Sequence, residues 1–453
     1  MSTGTETQAF EQVGDGRRAL IIRRGPCVYD SRILREADTL REIGYDPLIL
    51  GVVSEDIRAT RDEQAGTPVI RLEPTSPFVW ARSIQRKLTR RRRPTRVEER
   101  DPQPVPSGAE NPLMRMVIRV HRWLRTLDFY RRAIAVLREE RPALVHCNDY
   151  NTMWVGVAAR LLGGSTVVYD SHELWPDRNG RSEPRWWLIA CESLFVRAAH
   201  RTITASPGYA EVMAKRYRIA PPGVIRNIPD SSMLSATGSR NGDSPAGDGR
   251  LALYVGALTT GRGLEISIMA LNRLDDVRLR LVGPARPAYL EELVQLAEVE
   301  GVSDRVEFAG AVTPDELIET ISEASVGLAL IQPICLSYRM SLPNKVFEYV
   351  AAGLPVLGSD LPAIGALVNE HRIGLLAEPG EVGDVAAKLA EMLEPDRNAA
   401  FRDATRTAAV ELHWDREAER LAGEYREADM RGRSDDARAR DSATRSKSEE
   451  RPV

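Results

Sequence analysis

Arg262 stands between Gly261 and Gly263, directly before the apolar run LEISIMAL. Glycines on both sides let a backbone turn come close to a ligand, and a guanidinium fork can grip two phosphate oxygens at once. Further along, SLPNKVFEYVAAGLPVLGSD (341–360) reads as a loop, a short helix and a buried strand. Pro343 suits a first helical turn, where its missing N–H would be unpaired anyway. Val346, Phe347 and Val350 recur at helical spacing, Gly353 ends the helix and Pro355 forbids its continuation. The free N–H groups and dipole of such a helix start attract an anion. Asn344 and Lys345 stand at that start. Glu348, about one turn in, is placed to accept hydrogen bonds from sugar hydroxyls. An anion at the helix start with hydroxyls beside it points to a nucleotide-sugar.

The elements that must position these groups alternate short apolar runs with helical segments, the pattern of doubly wound α/β domains. Strands are predicted at 19–22, 47–53, 68–72, 143–147, 166–170 and 201–206, then at 251–258, 277–283, 305–310, 325–331 and 355–359. Residues 235–250, rich in Gly, Ser and Asp, read as a linker. The expected organisation is a disordered N-terminus (1–18), a Rossmann-like domain (19–234), the linker, a second such domain (251–412), a helix (413–430) and a disordered charged tail (431–453). In the first half, Gly25 lies in the loop after the first strand, with Asp30, Arg32 and Glu36 at the start of the next helix. Asn148 and Asp149 follow one strand end, and His172 and Glu173 another. The remaining histidines, His121, His146, His200, His371 and His413, read as structural.

At 453 residues, 43% hydrophobic, the chain holds two domains of ordinary size. A net charge of −3 sets up no basic field for nucleic acid, and no aromatic stacking platform accompanies the arginines. Neither a signal peptide nor a membrane-spanning run is legible. Cys27, Cys147, Cys191 and Cys335 are scattered without metal-ligand spacing, which suits free thiols in a reducing cytoplasm. A long insert, about 76–141, carries arginines from Arg82 to Arg93. A second basic stripe follows at Arg115, Arg119 and Arg122. It reads either as a solvated helical face or as a surface that docks on an anionic membrane.

Taken together, Gly256, Ala257, Arg262 and Gly263, the run LPNKVFEYVAAGLPV, LVGPAR (281–286) and DRVEFAGAVTPDEL (304–317) resemble the donor domain of the family four retaining glycosyltransferases. The resemblance covers residues 250–410 and, more loosely, the first half. It implies the two-domain GT-B fold, with Rossmann-like domains facing across a cleft. Two positions depart from the family pattern. Ala257 replaces an arginine, with Arg262 in place of a lysine, and Met340 replaces the first of two glutamates.

The resemblance further implies that a sugar moves from a nucleoside diphosphate to an acceptor hydroxyl with retention. Arg262, Lys345, Asn344, Gly261, Gly263 and Gly25 would hold the diphosphate, and Glu348 the ribose. Lys345 would compensate for the charge missing at Ala257. His172 would lie between donor sugar and acceptor, with Asp30, Arg32, Asn148, Asp149 and Glu173 on the acceptor side. No carboxylate stands out as a covalent nucleophile, so front-face transfer is expected. No Asp-x-Asp motif follows a strand, so no metal and no cofactor beyond the nucleotide-sugar is expected. The acceptor would be a carbohydrate, a lipid-linked or a small molecule, in polysaccharide or glycolipid assembly at the cytoplasmic membrane face. A nucleotide-sugar epimerase and an inactive scaffold of the same fold are the alternatives.

Overall fold

The computed structural model describes residues 11–28, 30–54, 56–73, 112–181, 183–230 and 250–449. The linker, and the arginines from Arg82 to Arg93, lie outside the described residues. The chain forms two compact units, Met1–Val167 with Arg431–Val453, and Val168–Met430.

In the first unit, β1 (Arg18–Ile22), α1 (Ser31–Glu42), β2 (Asp46–Val52), β3 (Arg61–Gln64), β4 (Thr67–Leu72), α2 (Pro112–Glu140), β5 (Leu144–Asn148) and α3 (Met153–Leu162) follow in order. Strands β4, β2, β1 and β5 pair in parallel, and β3 adds antiparallel to β4 at the edge. The apolar runs of β1, β2 and β5 are buried almost end to end. Such unbroken runs suit parallel strands covered by helices on both faces. Residues 13–17, expected to be disordered, instead hydrogen-bond to the loop after α1: Val13 N–H donates to Ile43 O at 2.9 Å and Gly16 N–H to Gly44 O at 2.8 Å.

The second unit carries β6 (Thr166–Ser171), α4 (Arg185–Ala198), β7 (Arg201–Thr204), α5 (Pro207–Tyr217) and β8 (Gly223–Val224), with β6, β7 and β8 parallel. It continues with β9 (Leu251–Val255), α6 (Leu264–Leu271), β10 (Arg278–Val282), α7 (Pro287–Val299), β11 (Val306–Gly310), α8 (Pro314–Ser322) and β12 (Val326–Ala329). Then come α9 (Leu336–Arg339), α10 (Asn344–Ala351), β13 (Val356–Ser359), α11 (Pro362–His371), β14 (Gly374–Ala377), α12 (Val382–Met392), α13 (Pro395–Glu411) and α14 (Trp414–Glu449), of which the residues up to Met430 belong to this unit. The six later strands form a sheet of order β11-β10-β9-β12-β13-β14. Successive residues of β9 serve opposite faces, as the two-residue period of a strand requires. Ala252 and Tyr254 enter a core with Leu264, Leu279 and Leu281. Leu251, Leu253 and Val255 enter another with Phe347, Val350 and Ile364.

The tail beyond residue 431, also expected to be disordered, is helical as far as Glu449. The helix is already nucleated by its packed first half. Trp414 N–H donates to Pro229 O, and the buried Glu417 accepts from the Arg226 backbone N–H at 2.8 Å and from its guanidinium at 2.7 Å. Propagation then costs far less than nucleation.

Candidate active site

Helix α10 is seated by one tyrosine. Tyr349 Oη accepts from Val255 N–H at 3.0 Å, and lies 3.3 Å from the carbonyls of Leu253 and Leu328. The helix start is thereby fixed at the C-terminal ends of β9 and β12, where open α/β sheets bind ligands. Pro343 occupies the N-cap rather than the first helical turn, and its carbonyl accepts from Val346 N–H at 3.1 Å. Asn344, the first helical residue, is exposed.

Lys345 is turned inward and only 7% exposed. Its Nζ lies 3.3 Å from the centroid of the Tyr254 ring and has no hydrogen-bond partner among the described residues. Burial, and secondarily Arg262, push its pKa well below the ordinary lysine value, and Glu348 pulls it partly back. Arg262 rests over the Tyr338 ring, 4.6 Å from its centroid. Gly261 and Gly263 both have positive φ, +82° and +78°. A Cβ on Gly263 would meet the Leu330 carbonyl oxygen at 2.1 Å, and one on Gly261 the Ile334 side chain at 2.5 Å. Only glycine lets this turn bring Arg262 so close to the β12–α9 loop. Arg262, Lys345, Glu348 and the two glycines are therefore one cluster: two cations, each on an aromatic face, with a carboxylate a turn along the helix.

The segment after β6 reaches the same region. His172 Nε2 lies 3.0 Å from Asp170 Oδ2, and Asp170 is fully buried, so the imidazole is oriented from behind. Glu173 pairs with Arg178 at 2.6 Å. Tyr209 feels the charges of both Glu173 and Arg262, and burial raises its pKa above the usual phenol value. Its hydroxyl donates to Ser337 O at 3.0 Å. Met340, where the family carries a glutamate, packs at the start of α5: its carbonyl accepts from Ser206 Oγ at 2.7 Å, and Gly208 leaves room for its side chain. The Ala257 carbonyl accepts from the Tyr254 hydroxyl at 3.0 Å.

In the first unit, the Gly25 carbonyl accepts from Val52 N–H at 2.8 Å, which pins its loop to β2. Asp30 pairs with Arg23 at 2.9 Å. Arg32 and Asn148 are buried and both engage Glu36, at 3.0 and 3.1 Å, and His146 Nε2 lies 3.4 Å from the same carboxylate. Asp149 follows with φ +68°, at the turn out of β5. Arg32 and Asn148 thus surround one buried carboxylate. Tyr254, Tyr338, Tyr209 and Asp170 are the contributors that sequence reasoning missed. Tyr254 and Tyr338 carried only a weak signal, an aromatic just before the Gly256 turn and another in the SYRM segment before the α10 helix.

Residues 249–395 match the family described as glycosyl transferases group 1, and residues 86–231 match Glycosyltransferase Family 4. Together the two matches cover more than half of the chain. The chain belongs to the family 4 glycosyltransferases. This glycosyltransferase is 28% identical over 326 residues to the D-inositol 3-phosphate glycosyltransferase of Acidothermus cellulolyticus, covering 65% of this chain and 70% of that one. It is 28% identical over 309 residues to the GDP-mannose-dependent alpha-(1-6)-phosphatidylinositol monomannoside mannosyltransferase of Mycobacterium tuberculosis, covering 62% of this chain and 76% of that one. Among solved structures, sucrose-phosphate synthase from Thermosynechococcus elongatus superposes with a TM-score of 0.69 at 18% identity, over 90% of this chain and 98% of that one. Anabaena HepE in complex with UDP-glucose superposes at 0.63 and 16% identity, over 90% and 98%. The glycosyltransferase has the GT-B fold.

Proposed function

We propose that this glycosyltransferase takes its sugar from a nucleoside-diphosphate-sugar and transfers it to an acceptor hydroxyl with retention of configuration. The reading rests on one observation above all: the buried Lys345 ammonium, without a hydrogen-bond partner, beside Arg262 at the start of α10. A buried cation left unpaired is costly, and a diphosphate is the group that would offset that cost.

Negative charge develops on the leaving phosphate during transfer, and fixed donors aimed there lower the barrier. Arg262, Lys345 and the first N–H groups of α10 supply them, with Glu348 accepting from the ribose hydroxyls. Charge is neutralised by these side chains without a metal. His172, oriented by Asp170, positions the donor sugar against the acceptor, and the leaving phosphate takes the acceptor proton. Gly25, Asp30 and Asp149 are proposed to serve the diphosphate and acceptor from the first unit, with Arg32 and Asn148 acting through Glu36. The acceptor is proposed to be a carbohydrate or lipid-linked hydroxyl in polysaccharide or glycolipid assembly, met at the cytoplasmic face of a membrane.

A thermal-shift panel of UDP-, GDP-, ADP- and dTDP-sugars tests the donor. Ligand at 100 times its dissociation constant stabilises by about 2.7 kcal/mol. A shift with one nucleotide, lost in Arg262→Ala/Glu348→Ala, supports the reading. No shift with any of them moves the inactive scaffold to the front. Once an acceptor is found, the anomeric coupling of the product by NMR tests retention. Sugar exchange without any acceptor would favour the epimerase.

A further inference from the structure

Helix α2 carries an exposed apolar stripe. Met116, Val120, Trp123 and Leu127, spaced four, three and four residues apart, fall on one face, and they are 56%, 44%, 65% and 53% exposed. The same helix buries a different stripe, Phe129, Ala133 and Leu137, within its own unit. The exposed stripe is therefore a second apolar face and not the helix's core contact. Large apolar groups exposed contiguously mark an interaction surface.

Along this part of the helix the charges are of one sign. Residues 112–127 contain four arginines and no aspartate or glutamate. By helical spacing Arg115, Arg119 and Arg122 form the stripe adjoining the apolar one. An apolar face with a tryptophan, flanked by cations, is the pattern of a helix lying in the plane of a lipid interface. No described helix is long and apolar enough to cross a membrane, so the contact is interfacial.

We propose that the N-terminal half of α2 docks this glycosyltransferase on an anionic lipid surface, with Trp123 and Leu127 entering the headgroup–acyl boundary and Arg122 on lipid phosphates. The proposal rests on the membrane-face part of the proposed function and is independent of sugar transfer.

Vesicle flotation of the full chain tests it without donor or acceptor. Phosphatidylcholine vesicles containing phosphatidylglycerol should carry the protein upward, and phosphatidylcholine alone should carry far less. Trp123→Ser/Leu127→Ser should lower the partition coefficient by about 10-fold or more, and Arg122→Gln by about 5-fold. Val410→Ser, another exposed apolar position (69%), should leave it unchanged. Brominated lipids should quench tryptophan fluorescence in the wild type and markedly less in Trp123→Phe. Equal binding to both vesicle types, or unchanged binding of the double serine variant, would overturn the proposal. Two further results would do the same, each by naming another occupant. A wild-type dimer lost in the double variant would place a second copy on the stripe, and a sharp fall in its melting temperature would place another segment of the chain there. Arg262→Ala should float like the wild type, so a failed donor site and a failed docking surface give separate results.

Discussion

Lys345 and Tyr254 form a cation–ring pair in which the ammonium nitrogen stands 3.3 Å from the ring centroid, buried between β9 and α10. The ring face offers some attraction. It does not replace the hydrogen bonds that an ammonium makes in water, and burial with Arg262 nearby drives the group toward its neutral form. The proposed donor site would therefore favour an anion in a way that depends on pH.

A bound diphosphate would raise the pKa of Lys345, so donor binding should take up a proton. Affinity should be greatest at low pH, and should fall as pH rises through the interval between the free and bound values. Calorimetric titration in two buffers of different ionisation enthalpy measures this uptake. Lys345→Met should abolish it and weaken donor binding. The empty variant should melt higher than the wild type, because the cost of holding a lysine buried without a hydrogen bond is gone. Proton uptake unchanged in the variant would assign it to another group.

The Arg262 guanidinium lies over the Tyr338 ring, its carbon 4.6 Å from the centroid. Arg262→Ala should lower turnover by about 100- to 1000-fold, the usual loss for one preorganised donor. Arg262→Lys should not restore it, since an ammonium has neither the plane nor the fork. Steady-state kinetics of both variants, with the donor saturating, check this.

Two glycines with similar backbone conformations make a stability test. Gly301 has φ +69° and open space around a would-be Cβ, whereas Gly263 has φ +78° and the Leu330 carbonyl oxygen 2.1 Å away. Gly301→Ala should cost about 1 kcal/mol from backbone strain alone. Gly263→Ala should cost about 3 kcal/mol or more, because backbone has to move. Urea unfolding of the two variants gives the comparison, and equal losses would mean that the Gly263 turn relaxes freely.

Glu192 is buried between two phenols, accepting from Tyr169 Oη at 2.7 Å and from Tyr217 Oη. Burial lifts its pKa from 4.5 to about 7, although the two hydrogen bonds oppose the rise. The folded state thus holds a proton that the unfolded chain releases. Its contribution is fully present below pH about 4.5 and is lost as pH rises through about 7. Glu192→Gln should flatten this dependence and be relatively more stable above pH 7. Denaturation midpoints across pH 5 to 8 read the slope directly.

Much of the second sheet is legible in the sequence. The runs that become β9, β10, β11, β12 and β13 were each predicted to within three residues at either end; β9, β12 and β13 are buried throughout and leave unbroken apolar runs, whereas β10 and β11, toward the sheet edge, interleave apolar with charged residues. Strands β3, β8 and β14 were missed, and β8 is only two residues long. The Arg-Asp-Glu-Gln run of β3 is polar and pairs at an edge, and the Gly-Leu-Leu-Ala run of β14 suits a helix equally well until β13 offers it a partner. The charged tail reads as solvated by composition. It is helical because it continues a helix that Trp414 and Glu417 anchor elsewhere.

At the donor site the division follows the range of the physics involved. A glycine turn holding an arginine, and a capped helix start carrying Asn344, Lys345 and Glu348, are local features, written in adjacent residues and readable there. That Lys345 turns inward onto Tyr254, that Arg262 lies on Tyr338, and that Met340 fills the space left by Gly208 depend on contacts between segments far apart in the chain. Spacing along a sequence carries no information about such contacts. Packing decides which side chain is buried beside which, and so whether a lysine stands as a solvated cation or as a buried amine on an aromatic face.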